Sequence, residues 1–266
     1  MPVIIRYARL LALFIKIGLL RQMAYRFNFF MMVIGKVVRI GLLILFFQAI
    51  FLKVDRIGGW NYKEVLLLFA TFHLVDYIMS ITFQRNLAFH LPQRIRMGEL
   101  DARMILPVNL LFMVSFEDID MMDFFSFLPS LCFLGYVFYL LDFSFTLTQF
   151  FSYLLLLMNA VIFLFGVVLI IATVSFWTTQ SYGLSRIFDN LLRICRYPLD
   201  IFEGFWKAVF IYLLPLVLVA QLPSQALLNI ITPGALFFAF PVTGLFLGGA
   251  LIFWKFGLKN YMSAST

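Results

Sequence analysis

Long apolar runs alternate with short polar gaps along this chain, and the lengths of the runs decide what they are. Stretches at about 28–52, 62–83, 124–141, 146–177, 207–221 and 235–257 are nearly free of charge. A helix rises ~1.5 Å per residue, and a bilayer core ~30 Å thick takes about 20 such residues. The pattern predicts an all-α, polytopic integral membrane protein with six transmembrane helices, forming a single domain over 1–266. Two runs depart from the ideal length. The fourth exceeds a bilayer core and must tilt or protrude. The fifth is short and carries Pro215 as an expected kink. It leads into a semi-apolar stretch, 222–234, with Pro223 and Pro233. That stretch is expected to lie in the outer interface or to dip into it as a re-entrant segment.

Residues 3–26 follow a different pattern. At about 100° per residue, Arg6, Arg9 and Lys16 fall on one helical face, and Ile4, Leu11, Ile15 and Gly18 fall opposite. Such a helix lies in the membrane interface. The charges that interrupt it, and the lack of a small-residue cleavage site after it, argue against a signal peptide.

The gaps differ in charge. The N-terminal segment carries Arg6, Arg9, Lys16, Arg21 and Arg26. The second gap holds Arg85, Arg94, Arg96 and Arg103, and the fourth holds Arg186, Arg193 and Arg196, with Lys207 just beyond. The first has only Lys53, Arg56 and Lys63, and the third and fifth have no basic residue. Basic loops stay in the cytoplasm. Both termini and both long gaps are therefore expected there. Composition agrees: 64% of the 266 residues are hydrophobic and only 12% are charged, against about half and about a quarter in soluble domains. The net charge of +7 does not indicate nucleic acid, because the basic residues flank apolar runs rather than forming one patch.

Little catalytic chemistry is legible. Cys132 lies in an apolar run and Cys195 in a gap, so no disulfide is implied. His73 and His90 are too sparse for a metal cluster, and no Ser-His-Asp or Cys-His arrangement appears. Glu117, Asp118, Asp120 and Asp123 match no standard cation loop and are expected to form an exposed acidic inner loop. No Gly-x-x-x-x-Gly-Lys-Ser/Thr occurs, so the chain has no P-loop. Gly244 and Gly248 are spaced for close helix approach, within the chain or against another subunit.

Ionisable residues inside spans need partners or a wet cavity. Lys36 and Arg39 share a face of the first span, roughly 12–17 Å above its inner end; His73 and Asp76 share a face of the second, with Asp76 about 10 Å above its inner end. The depths nearly match. Asp76 is expected to pair with Arg39 or Lys36, either as a structural ion pair or as the lining of a translocation path.

Three segments in order resemble the permease subunits of ABC-2-type exporters, and more narrowly the branch encoded as tandem permeases beside one ATPase, which includes viologen and drug exporters. The first is Tyr25-Arg26-Phe27-Asn28-Phe29. The second is Arg94-Ile95-Arg96-Met97-Gly98-Glu99-Leu100-Asp101, continuing to Leu106-Pro107-Val108. The third is Phe176-Trp177, then Arg196-Tyr197-Pro198-Leu199-Asp200-Ile201-Phe202. The stretch between Leu-Pro-Val and the third span is compact and acidic here, where the branch often has a longer one.

The resemblance implies that 91–106 is a coupling helix seated on a separate ATPase, through Arg94, Arg96, Gly98, Glu99, Asp101 and Arg103. Their alternating charge around Gly98 suits a charged groove on a soluble partner. It also implies that Arg196, Tyr197, Pro198 and Asp200 form a second cytoplasmic elbow beneath the bundle. The chain would be the transmembrane subunit of an exporter in the bacterial inner membrane, not itself an enzyme. It would pair with a second copy or a related permease and with ABC ATPase subunits that hold ATP and Mg. The cargo would be amphipathic or apolar: a drug-like cation, a peptide or a lipid-linked compound. An intramembrane enzyme is disfavoured by an ionisable set suited to ion pairing, and a membrane anchor or sensor without transport is the alternative.

Overall fold

The computed structural model describes residues 3–23, 26–142, 145–178 and 182–261. Helix α1 (Val3–Met23) is followed by α2 (Arg26–Phe51), α3 (Tyr62–Met79), α4 (Leu91–Met97), α5 (Leu100–Met104) and α6 (Leu110–Phe116). Then come α7 (Met121–Leu140), α8 (Leu147–Thr173), α9 (Tyr182–Leu192), α10 (Gly204–Ala208), α11 (Gln221–Leu227) and α12 (Pro233–Lys259). Apart from one bridge between Ile57 and Trp60, no β-structure forms among the described residues.

Among the described residues, five helical stretches are long and apolar enough to cross a membrane: Phe30–Phe51, Tyr62–Gln84, Asp123–Leu140, Leu147–Phe176 and Gly234–Lys259. The chain is an all-α, multi-pass membrane protein. Side chains that accept from the third helical amide start two of the five. Asn61 and Glu64 form a reciprocal capping box at α3, and Thr146 and Gln149 form another at α8.

α3 is the axis of the bundle. Every residue from Val65 to Val75 is buried, enclosed by α7, α8 and α11. α2 and α12 lie outside, with Phe30, Ile34, Val38 and Leu42 of the first and Phe237, Leu245 and Ile252 of the second exposed. Exposed apolar side chains on long outer helices are what lipid requires. The end of the bundle near Trp60 is called the top here, and the end near Gln84 the base.

The expected fifth span at 207–221 does not form as one continuous helix. A π-helical turn, Val209–Leu213, extends α10, and the helix then breaks at Leu214 and Pro215. Pro215 has no amide hydrogen to continue the ladder. The passage from base to top is made earlier, by 182–201, which runs beside α3. Gln84 Nε2 donates to Asp189 Oδ1 at 2.8 Å near the base. The Arg196 guanidinium then lies over the Phe72 ring, 5.2 Å from its centroid. Tyr197 meets Phe47 edge-on, and at the top Trp60 Nε1 donates to Asp200 Oδ2 at 3.2 Å. Gly58, at φ +57, packs its α-carbon against the Asp200–Ile201 backbone.

Residues 216–227, expected in part at the outer interface, are instead sunk between α3 and α8. All but Gln225 are buried. Ser224 donates to Thr71 Oγ1 at 3.2 Å, and Thr71 shares a 3.1 Å hydrogen bond with Tyr153. Gln221 accepts from the Leu199 amide and donates to Asp200. Irregular backbone inside a bilayer is tolerated only where protein satisfies it in this way.

α8 and α12 run parallel and close. A Cβ at Gly166 would stand 3.2 Å from the Leu247 amide nitrogen, and one at Gly257 would stand 2.7 Å from Thr173 and Phe176 side-chain atoms. Gly244 and Gly248 have nothing within 4 Å of a Cβ, so the spacing noted in the sequence is not used within the chain. Gly166→Leu should therefore lower stability by about 1–3 kcal/mol through overpacking, whereas Gly244→Leu should leave it unchanged. Thermal unfolding of the two purified variants in one detergent checks this; equal midpoints would refute the close approach.

Candidate functional site

Below the base, α3 continues without a break through two π-helical turns, Ser80–Gln84 and Asn86–His90, into α4. Such turns recur at functional sites. Pro92 sits in the first turn of α4, where its missing amide hydrogen is harmless. Gly98 ends α4 in the left-handed conformation, at φ 71. The Gly98 amide returns to Ile95 O and the Glu99 amide to Arg94 O, at 3.3 and 2.9 Å. This glycine cap turns the chain directly into α5. The segment 91–106 is thus a helix–elbow–helix hung from the axial helix.

The six residues expected to couple to a partner divide into two sets. Arg94 is only 6% exposed and turns inward, with Nη1 3.3 Å from Glu117 and Nη2 3.6 Å from Asp118. Arg103 also turns inward, gripping Glu117 with Nε and Nη2 at 2.8 and 2.9 Å. Asp101 is half-buried beside Tyr261. Arg96 and Glu99 face outward on either side of Gly98. Beside them the segment exposes apolar side chains that charge alternation did not reveal: Met97, Met104, Leu106 and Ile105, the last 83% exposed.

The acidic stretch expected to be an exposed loop is instead an ion-pair hub. Glu117 takes Arg94 and Arg103. Asp118 takes Arg21 of α1 at 2.6 Å, with His90 Nδ1 at 3.4 Å. Asp120 pairs with Arg85, and Asp123 with Lys36. α1 is seated on the same stretch: Phe14 is buried, and Gly18 lies so close that a Cβ would stand 2.8 Å from Ile119 O. The Asn109 amide donates to the Tyr7 hydroxyl. One side of the expected interfacial helix therefore docks on protein.

Electrostatics at the hub follow from these contacts. The His90 ring, followed by Arg21, holds the Asp118 carboxyl below its usual range. Burial pulls the Arg94 guanidinium down despite its carboxylate neighbours, whereas the hydrogen bonds that Arg103 donates to Glu117 push Arg103 up.

The intramembrane charges separate. Lys36 finds Asp123, not Asp76, and its ammonium also lies 4.9 Å from the Tyr77 ring centroid. His73 is buried, edge-on to Phe69 and Phe72 and stacked on Tyr77. Neither of its ring nitrogens has a hydrogen-bond partner among the described residues. Arg39 and Asp76 line a cavity of about 170 Å³ with Gln84, Asp189, Arg193 and Arg196. It adjoins a larger one of about 600 Å³ at the base, and Ser80 and Gln84 line both.

The expected cytoplasmic elbow is not beneath the bundle. Arg196, Tyr197, Pro198 and Asp200 climb beside α3, and Asp200 ends at the top, where it holds Trp60, Gln221 and, at 3.0 Å, Lys207. Proline and charge read as a loop, but here they make an irregular passage covered by protein. Phe176 and Trp177 pin the lower ends of α8 and α12 together, Phe176 against Trp254 and Tyr261, Trp177 stacked on Phe253 and Phe256. Tyr25, and the side chains from Arg26 to Phe29, lie outside the described residues. Asp189 and Arg193, missed as site residues, carried one signal: they fall with Arg196 on one face at helical spacing.

Two outcomes test the hub. Arg94→Met should cost about 1–3 kcal/mol by leaving buried carboxylate oxygens short of a partner, whereas Arg96→Met should be neutral in unfolding experiments. Asp118 is held down, so its stabilisation is present above the ordinary carboxyl pKa of about 3.9 and is lost as pH falls below it. The unfolding midpoint should therefore fall more steeply below about pH 4 for the wild type than for Asp118→Asn; parallel acid limbs would refute the linkage.

No curated protein and no solved structure matches the chain. A family model described as ABC-2 family transporter protein matches residues 37–265, from within α2 to beyond α12. Long apolar helices, a helix–elbow–helix at the base and that match converge: the chain belongs to the ABC-2 transporter family, as a membrane permease subunit of an ABC transporter that works with ABC ATPase subunits.

Proposed function

We propose that this chain is one half of the translocation path of an ATP-driven exporter in a bacterial inner membrane, with the base and both termini in the cytoplasm. The observation that carries the reading is the form of the segment 91–106. Its inner side is fixed to the body by Arg94 and Arg103, and its outer side presents Arg96, Met97, Glu99, Met104 and Ile105. A partly apolar, charge-flanked knob on a rigid mount suits a cleft on a soluble protein and has no use in lipid. The base also carries the basic residues Arg85, Arg96 and Arg186, as the positive-inside rule requires of a cytoplasmic face.

Two such permeases, identical or related, enclose the path, and two ATPase subunits bind ATP and Mg beneath them. ATP binding draws the ATPases together and displaces both coupling segments. The displacement passes through Arg94 and Arg103 to the acidic hub, and from there to α1, α2 and α7. The path then exists in two states whose populations ATP biases. The cargo is amphipathic or hydrophobic and leaves from the cytoplasm or inner leaflet.

Purification of the tagged chain from its native host in mild detergent should bring a P-loop ATPase with it, identified by mass spectrometry. Ile105→Asp or Met97→Asp should weaken that association about 10- to 100-fold, as loss of an interface anchor does, with unchanged thermal unfolding of the permease. Absence of any ATPase under several detergents would overturn the reading.

A further inference from the structure

The cavity between α2, α3 and the climbing segment has an excess of fixed positive charge. Arg39, Arg193 and Arg196 line it against Asp76 and Asp189, and Asp189 is engaged by Gln84. The arginines are near enough for Arg39 and Arg193 both to repel Arg196. Arg196 Nε has no hydrogen-bond partner among the described residues. Among those residues, Asp76 does not close to ion-pair distance on Arg39 or Arg196, although it feels both charges.

Position sharpens the point. Arg39 lies twelve residues before the end of α2, about 18 Å below the top by helix rise, well inside an apolar core ~30 Å thick. It is exposed, and so are its neighbours Val37, Val38 and Leu42. An arginine at that depth is costly unless it meets an anion or water. The cavity mouth therefore brings a cationic lining to an apolar, bilayer-facing helix surface.

We propose that this cavity binds the oxyanion headgroup, phosphate or carboxylate, of an amphiphile whose tail lies along α2 in the bilayer. The guanidinium forks of Arg39 and Arg196 supply paired donors that fit such a group. A lone ammonium or a quaternary cation meets net repulsion there. The proposal deepens the transport reading by naming an acidic amphiphile as the substrate class, and it rests on that reading only for the conclusion that the bound molecule is cargo.

The test uses the full chain in phosphatidylcholine nanodiscs, with binding measured by calorimetry. Dodecyl phosphate should bind saturably, and dodecyltrimethylammonium should neither bind at the same site nor compete. Arg39→Gln and Arg196→Gln should each weaken dodecyl phosphate at least tenfold. Asp76→Asn, which adds no bulk and removes a negative charge, should tighten it several-fold; this holds the proposal to account even if an arginine variant fails to fold. Inorganic phosphate that competes at similar concentration would assign the site to a free anion and overturn the amphiphile. No binding of dodecyl phosphate, equal binding of the cationic amphiphile, or weaker binding in Asp76→Asn would overturn the proposal outright. None of these results depends on an ATPase, so ATPase co-purification can stand while this proposal falls, or fail while it stands.

Discussion

Four carboxylates between Glu117 and Asp123 hold the lower half of this molecule together. Each takes a cation from elsewhere in the chain: α4 and α5 through Arg94 and Arg103, α1 through Arg21, the extension of α3 through Arg85, and α2 through Lys36. Single exposed ion pairs contribute little, typically under about 1 kcal/mol. These are linked, partly buried and close to bilayer depth, where competing water is scarce and unpaired charge is most costly. The arrangement also sets geometry. α1 and the coupling segment have no large apolar core of their own, and they share carboxylates of one stretch. A force on α4 or α5 therefore meets α1, α2 and α7 together rather than one helix alone.

The upper half obeys a different constraint. Backbone that leaves helical form inside a membrane must find protein donors and acceptors. The 3-10 turns after α9 and the break at Leu214–Pro215 are two such departures, and they solve the problem for each other. Gln221, carried on α11, accepts from the Leu199 amide and donates to Asp200, and Asp200 in turn receives Trp60. Ser224, Thr71 and Tyr153 continue the polar contacts into the core. The irregular passage and the buried segment 216–227 are thus interdependent, and neither would be tolerated facing lipid.

The sequence shows those parts of the fold that depend on length and hydropathy, and hides those that depend on burial of polar residues. Five of the expected apolar runs reappear as long helices because a bilayer leaves an apolar run little alternative. The passage at 182–201 was illegible because Arg186, Arg193, Arg196, Pro198 and Asp200 look like a loop when nothing indicates that α3 and α11 will cover them. The acidic stretch was misread for the same reason: four carboxylates in seven positions look solvated until their partners, up to 97 residues away, are in place. At the coupling segment, charge alternation drew attention to Arg94 and Arg103, which face inward. The outward apolar tip at Met97 and Ile105 followed no period and became visible only once Gly98 had fixed the turn.

Where the acids sit also determines what the cavity above them can hold. The hub uses Glu117, Asp118, Asp120 and Asp123 on cations at the base, so none remains to neutralise the arginines higher up. Lys36 has already been taken by Asp123, which leaves Arg39, one turn further along α2, in a cavity where three arginines face two carboxylates, Asp76 and Asp189. Had the acidic stretch stood one turn deeper in the membrane, both cations of α2 would be paired and the cavity would be near neutral. Its positive excess is therefore a consequence of the depth at which the hub is built. A permease that keeps such an excess inside the bilayer has retained the charge an anionic headgroup needs, at a site where hydration alone would be a poor substitute.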